Sequence, residues 1–288
     1  MSSDCYDILG LRVMVHSTSW EFAAQVRRLM SCFPVAPEGS GLSDVVFSLV
    51  AAPPPKRHSI RPFHFLYKDG TRAGRITQQW QLFRFLECQL DILLAEKVDR
   101  PLLLHAGAVA RNGCGVIMPG PSGSGKSSLT LALLQRGFRY YSDEIAVMDP
   151  ATGWLHPFPK PVSIKDRHIF NGLAQHQDLW FGPEANEDRG VWYLHPEDLT
   201  GGKIGEPSPT SYIVFPKYHP DYQPRLRPLP FGEALKELVH NSINLSRSGN
   251  EGFRLLAGLV REAHCFTLES NDLTTSVALV NGLVDTTG

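Results

Sequence analysis

The stretch "GPSGSGKSSL", Gly120 to Leu129, decides how the rest of this chain is read. Its first eight residues satisfy G-x-x-x-x-G-K-[ST], with an apolar run before them and a helix-forming run after them. Glycines at this spacing let backbone N–H groups turn into one concavity. There they bind anionic oxygens, aided by the N-terminal end of the following helix dipole. The pattern predicts a nucleotide held by Gly120, Ser122, Gly123, Ser124, Gly125, Lys126, Ser127 and Ser128. Lys126 would sit on the β- and γ-phosphates and the Ser127 hydroxyl on Mg²⁺. A plain glycine-rich turn is the alternative. Neither reading names an acceptor for the phosphate.

Two neighbouring stretches bear on the acceptor. Upstream, "RPLLLHAGAVARNGCGVIMPG" has two apolar runs on either side of Asn112-Gly113, a favoured type I′ hairpin dipeptide. A two-residue turn there pairs Arg111 with Cys114 and brings His105 opposite Gly120. The hairpin would then deliver an imidazole to the mouth of the loop, although a bulge shifts such a pairing by one. A structural histidine at a strand end is the bland reading. Downstream, "FRYYSDEIAV" reads as a strand, with 138–142 parallel to the loop strand. Ligands of open α/β sheets lie beyond the carboxyl ends of their strands, and Asp143 and Glu144 fall at that end. One carboxylate can serve a metal and the other an acceptor oxygen. Otherwise the pair closes the strand in solvent.

Outward from the site, the helix after the loop runs from Lys126 to about Arg136 and stops at Gly137, a C′ glycine. A polar, Gly/Pro-rich section follows at about 182–211, interrupted by "GVWYLH". Then come a strand, "YIVFP", helices around "FGEALKELVHNSI" and "EGFRLLAGLVREA", a strand, "CFTLES", and a last helix from about Asp272. On the N-terminal side, "CYDILGLRVMVHS" reads as one strand. Thr18 and Glu21 read as a capping box for a helix whose apolar face is Trp20, Ala23, Val26, Met30 and Phe33. Strands "VVFSLVAA" and "RPFHFLYKDG" precede a helix presenting Trp80, Phe83, Leu86, Leu90 and Leu93. The chain thus divides into a small α+β unit, 1–97, read as a scaffold or docking module, and a phosphate-loop domain with C-terminal helices, 98–288.

Across 288 residues, 28 Lys and Arg face 29 Asp and Glu. That balance argues against a general nucleic-acid or membrane-surface binder. Five scattered cysteines point away from a disulfide framework or zinc site. No apolar run is long enough for a bilayer span, and no basic segment leads into an apolar one at the N-terminus. The expectation is a cytoplasmic protein.

Taken together, His105, the loop 120–127 and Asp143-Glu144 resemble the HPr kinase/phosphorylase family, where a histidine strand precedes the loop and an acidic pair follows its helix. The resemblance covers about residues 101–200. "ELVHNSINLSRSGNEGF" and "CFTLESNDLTTSVALV" are similar to the HPr-related kinase A branch of that superfamily, whereas the N-terminal part is unlike the kinase of HPr itself. The resemblance implies an α/β fold, a P-loop core of the HPr kinase/phosphoenolpyruvate carboxykinase-like kind behind a small α+β N-terminal domain. It implies a kinase using ATP and Mg to phosphorylate a hydroxyl, a serine of a protein or peptide, with a biosynthetic precursor peptide among the options. Asp143 would be the base, His105 would orient it, and Glu144 would ligate the metal in place of the family's second Asp. The family's Glu-x-Arg-Gly stretch corresponds to Glu187-Asp188-Arg189-Gly190, implying Glu187 at the metal and Arg189 on the transition-state charge. After it, Val191-Trp192-Tyr193 replace the family's glycine and isoleucines.

Lys160 and Lys165 in "FPKPVSIKD", and Arg247 in "NLSRSG", are weaker candidates, because lysines in a Pro-rich run are as a rule solvated. Two further readings use the same residues. One is a nucleotide-binding regulatory or peptide-chaperone module without phosphotransfer. The other is a small-molecule kinase, or a relative of the phosphoenolpyruvate carboxykinases, whose extra transition-metal ligands are not seen here.

Overall fold

Turns with left-handed backbone cut this chain into its strands. Leu9-Gly10 (φ 54° and 85°), Asp69-Gly70 (49° and 76°) and Asn112-Gly113 (53° and 76°) each place two consecutive residues at positive φ. That is the type I′ geometry, whose twist matches the strands of a hairpin. The computed structural model describes residues 2–36, 42–52, 62–164, 192–198 and 203–285, apart from the side chains of 79 and 80. These residues form two compact units, one ending at Val98 and the other beginning at Asp99.

In the first unit, β1 (Ser2–Ile8) and β2 (Leu11–Ser17) pair from Ser2 opposite Ser17 to Ile8 opposite Leu11. The single strand expected here is therefore a hairpin. Its turn is fastened by Gly10 N–H donating to Asp7 Oδ1 at 2.9 Å. The next helix, α1 (Trp20–Leu29), is capped by Ser19, whose hydroxyl accepts from Phe22 N–H at 3.5 Å. Thr18 is used elsewhere, accepting from Ala51 N–H at 2.9 Å. Trp20 is 78% exposed rather than part of the apolar face, which is Phe22, Ala23, Val26 and Leu29. Helical side chains lean toward the N-terminus, so the first residue's ring points past the element it would otherwise pack on.

Strands β3 (Val45–Val50), β4 (His64–Lys68) and β5 (Thr71–Ile76) complete a five-stranded sheet in sequence order, with β2 and β3 parallel and the other pairs antiparallel. Every second residue of β2 from Val13 on, and of β3, is buried, the pattern of a sheet with one covered face. The cover is α1 against β1 and β2, and α2 (Gln79–Lys97) against β4 and β5. Phe83, Leu86, Leu90 and Leu93 are buried as expected, and Phe22 meets Phe83 edge-on at 5.5 Å.

The second unit is built on an eight-stranded sheet. It contains β6 (Leu102–Arg111), β7 (Cys114–Pro119), β8 (Arg139–Ser142), β9 (Ile145–Met148) and β10 (Trp154–His156). A separate two-stranded pair, β11 (Val162–Ile164) and β12 (Trp192–Leu194), follows. Strands β13 (Ser208–Tyr218), β14 (Arg225–Pro228) and β15 (His264–Ser270) return to the large sheet, whose order is β10-β9-β6-β7-β13-β15-β14 with β8 also on β6. β7, β13 and β15 run parallel, and β6 runs antiparallel to β7.

Helices cover both faces. One carries α3 (Lys126–Leu134) and α6 (Leu273–Asp285), packed on Val109, Val116, Met118, Tyr140 and Val214. The other carries α4 (Phe231–His240) and α5 (Leu245–Glu262), packed on Leu104, Ala106, Ala108, Ile117 and Ile213. The architecture is mixed α/β. A strand covered on both sides reads as a continuous apolar run, and in β6 that run is broken at one inner position, His105. Among the described residues no helix is long and apolar enough to cross a membrane.

Candidate active site

The loop between β7 and α3 takes its shape from its glycines. Gly123 (φ 86°) and Gly125 (φ 97°) occupy the left-handed region that glycine enters at no steric cost. Gly120 is needed for room instead: a Cβ there would come 2.8 Å from Ser124 Oγ. Lys126 folds back over the loop, its Nζ donating to the carbonyls of Gly120 at 2.6 Å and Pro121 at 2.9 Å, and it is only 6% exposed. Ser122 is exposed, Ser127 and Ser128 half-buried. Ser124 Oγ is buried with no hydrogen-bond partner. An unpaired buried hydroxyl costs about 1–3 kcal/mol. A buried ammonium, the positive end of α3 and that orphan hydroxyl converge on one loop, and such a donor set fits a phosphate.

β6 carries the histidine to this loop. The pairing runs from Arg111 opposite Cys114 to Ala106 opposite Pro119, the register the Asn112-Gly113 turn predicts. Gly120 N–H then lies 3.4 Å from His105 O. Along β6, Leu104, Ala106 and Ala108 face the α4–α5 layer, and Val109 faces the α3 layer. Strand alternation therefore puts His105, half-buried, on the α3 side, one pleat from Gly107. A Cβ on Gly107 would fall 2.7 Å from Thr130 Oγ1, so this glycine is what seats α3 against β6.

The N-terminal half of β6 is clamped by the turn between α4 and α5. His105 N–H donates to Asn241 O at 2.7 Å. Asn244, fully buried, accepts from Leu103 N–H at 2.8 Å and donates to Pro101 O at 2.9 Å. Sequence reasoning assigned these asparagines no part. The available signal was a pair of amides in a short apolar-flanked linker.

The acidic pair sits where one expected strand is really two. β8 and β9 both run antiparallel to β6, so β8 is parallel to β7 with β6 between them. Ser142 pairs with Ala108 and Ile145 with His105, which leaves Asp143 and Glu144 against Gly107 and Ala106. Ser142 Oγ fixes the break, accepting from Glu144 N–H at 3.2 Å and Ile145 N–H at 2.9 Å.

Asp143 is 4% exposed. Its Oδ2 accepts from Ser127 Oγ at 3.1 Å and its Oδ1 from the Tyr140 hydroxyl at 3.2 Å. That hydroxyl also lies 2.9 Å from Lys160 O. Burial pushes the neighbouring Tyr141 phenol above its ordinary value, keeping it a neutral donor to Ser208 Oγ at 3.1 Å.

Lys160, expected in solvent, is 7% exposed, with Nζ 3.9 Å from Glu144 Oε2. Its Pro-rich segment is drawn onto β8 by Phe158 N–H donating to Tyr141 O at 2.9 Å, and turned locally by Lys160 N–H donating to Phe158 O at 2.8 Å. Arg247 does not reach this place; it pairs with Asp99 at 2.6 Å on the surface. Glu187, Arg189 and Lys165 lie outside the described residues.

The structure thus gathers the loop, Ser127, Asp143, Glu144 and Lys160, with His105 on the same face. Among the described residues no group of three or more His, Cys, Asp or Glu is poised around a metal. Mg²⁺ does not require one, since it is usually held by one or two carboxylates together with substrate phosphates and water. A hydroxyl and a carboxylate in contact at a helix N-terminus fit that ion.

No family model matches the chain, and no curated protein matches it. Among solved structures it is similar to the Hpr(Ser) kinase/phosphatase from Coxiella burnetii, with 13% identity and a TM-score of 0.31, over 65% of this chain and 99% of that one.

Proposed function

We propose that the chain is an ATP-dependent kinase of the HPr-kinase-like superfamily, transferring the γ-phosphoryl to a serine hydroxyl of a protein or peptide. The observation that carries this reading is the Ser127–Asp143 contact, which joins the loop to the acidic strand end. The loop N–H groups and Ser124 Oγ bind phosphate oxygens, and Lys126 turns from the Gly120 and Pro121 carbonyls onto the β- and γ-phosphates. Mg²⁺, when bound, would supply neutralisation of the phosphate charge. Ser127 and Glu144 would hold it, and the sequence resemblance adds Glu187 to them.

Asp143 accepts the proton of the incoming hydroxyl as its oxygen bonds to the γ-phosphorus and the bond to the β-phosphate oxygen breaks, releasing ADP. His105 orients Asp143 from its place one pleat along β6, and Arg189 meets the transition-state charge. The core would be of the HPr kinase/phosphoenolpyruvate carboxykinase-like kind over 98–288, with 1–97 as a scaffold or docking module. The near-neutral charge suits a soluble acceptor rather than nucleic acid or a membrane.

A second reading is a nucleotide-binding regulatory or peptide-chaperone module. It draws on Asp143 accepting from two of the chain's own hydroxyls, Ser127 and Tyr140, as a site used for binding alone would also do. The discriminating experiment incubates the full chain and Asp143→Asn with Mg²⁺, γ-labelled ATP and a size-fractionated extract of the source cells. Label entering one peptide or protein, and lost in the variant, is the outcome for a kinase. Tight ATP binding with no labelled acceptor, alike in both proteins, is the outcome for the module.

A further inference from the structure

We propose that Lys160 is a second phosphate-binding cation of this site, the one that distinguishes ATP from ADP. The inference rests on the loop being an ATP site. Its grounds are where the ammonium sits and how firmly its backbone is held. Lysine is almost never fully buried unless it is paired, and Lys160 is buried with its Nζ beside Glu144. Its carbonyl is tied through the Tyr140 hydroxyl to the same group that contacts Asp143. Two bonds hold the segment against β8, Phe158 N–H to Tyr141 O and the Tyr140 hydroxyl to Lys160 O, and Lys160 N–H to Phe158 O fixes its internal turn. This lysine is therefore built in, unlike a side chain that merely folds down from the surface.

The position selects which phosphate it meets. Lys126 lies at the loop, over the carbonyls of Gly120 and Pro121. Lys160 Nζ lies instead at the acidic pair, beside Glu144, where in the proposed reaction the acceptor hydroxyl and the terminal phosphoryl would come together. A polyphosphate entering beside two carboxylates meets strong repulsion, which a divalent ion and one lysine leave incompletely balanced. A second ammonium at the acidic end relieves it most for the terminal phosphoryl, the group ADP lacks. Lysine suits the task as a compact charge on a flexible four-carbon stem, able to leave Glu144 for a phosphate oxygen without moving the backbone.

A purely structural Lys160 would only neutralise Glu144. Its loss would then lower stability and leave nucleotide preference alone. The test is calorimetric titration of the full chain with Mg-ATP and with Mg-ADP, in wild type, Lys160→Met and Lys160→Arg, alongside thermal melting. The wild type should prefer ATP. Lys160→Met should lose that preference by about ten- to a hundred-fold, the value of one charge-assisted contact, with ADP affinity near wild type. Lys160→Arg should keep most of the preference. Lys160→Gln, nearer in polarity, carries the same test if the Met variant fails to fold. An unchanged ATP-to-ADP ratio in folded Met or Gln variants overturns the proposal. If the wild type itself binds neither nucleotide, the ATP-site reading falls, and with it this one.

Discussion

Ser127 Oγ donates to Asp143 Oδ2 at 3.1 Å, joining the first turn of the loop helix to the end of the strand that follows it. Sixteen residues separate the two in sequence, and the α3–β8 connection is what closes them. The contact places a carboxylate at a helix N-terminus, where the dipole favours negative charge. It also places it beside Ser127, the hydroxyl proposed to ligate Mg²⁺. In the proposed reaction, that position would let Asp143 take the proton leaving an acceptor hydroxyl.

If Asp143 takes that proton, Asp143→Asn keeps the shape and one of the two hydroxyl acceptors but removes the base. Transfer from γ-labelled ATP should fall by about 10²–10⁴-fold, the usual contribution of a positioned base. Mg-ATP affinity should change little. Normal transfer by this variant would sink the assigned role.

Gly107 sets the seat of α3, because a Cβ there would come 2.7 Å from Thr130 Oγ1 and 3.3 Å from Met118 Cε. Gly107→Ala should cost about 1–3 kcal/mol, the range for overpacking a tight core. Thr130 Oγ1 is buried and unpaired, so Thr130→Ala vacates the space without losing a hydrogen bond. The double variant should recover much of the loss, a non-additivity read from urea unfolding of all four proteins. Simple additivity would mean that α3 does not bear on β6 at this point.

Asn244 holds two backbone groups of the β6 approach from a position 141 residues away from Leu103. Asn244→Ala strands a buried N–H and a buried C=O, and should cost about 2–4 kcal/mol. Because His105 lies two residues on from Leu103, transfer should fall as well. Hydrogen exchange at Leu103 and His105 would locate the damage, and unchanged protection there would count against a clamping role.

Much of this site was legible in short stretches. A glycine-lysine-serine motif constrains its own backbone, and an Asn-Gly turn fixes hairpin register residue by residue, so His105 could be placed against Gly120 by counting. Asp143 followed from the rule that ligands sit at strand carboxyl ends. Lys160 was not legible. Its burial comes from tertiary hydrogen bonds to β8, and local composition, a Pro-rich run, argued the other way. Tyr140 was hidden by looking like ordinary strand material, since nothing local shows which way its hydroxyl points. In the first unit, Leu9-Gly10 was overlooked because leucine rarely takes a positive φ, and the missed turn fused two strands into one. Thr18 satisfied the capping pattern as well as Ser19 did, and only its use by Ala51 N–H decided between them.

The last prediction concerns alkaline stability. Cys265 lies on β15 beside Ile213 of β13, and burial pushes its thiol from the ordinary 9 up to about 11. The folded state therefore keeps a proton that the unfolded chain releases earlier. Between those two values the unfolded state binds fewer protons, so stability falls as pH rises. The contribution is complete below about pH 9 and is lost through about pH 11. Tyr6, pushed by burial to about 12, adds a loss of the same sign at higher pH in the first unit. Cys265→Ala removes the first of these groups, so its urea midpoint should decline less steeply than the wild type's once the pH passes about 9. Below that the two curves should run parallel. The native thiol should also react slowly with a disulfide reagent at neutral pH, since the thiolate is the attacking species. Equal alkaline slopes in the two proteins would show that Cys265 does not titrate as its burial dictates.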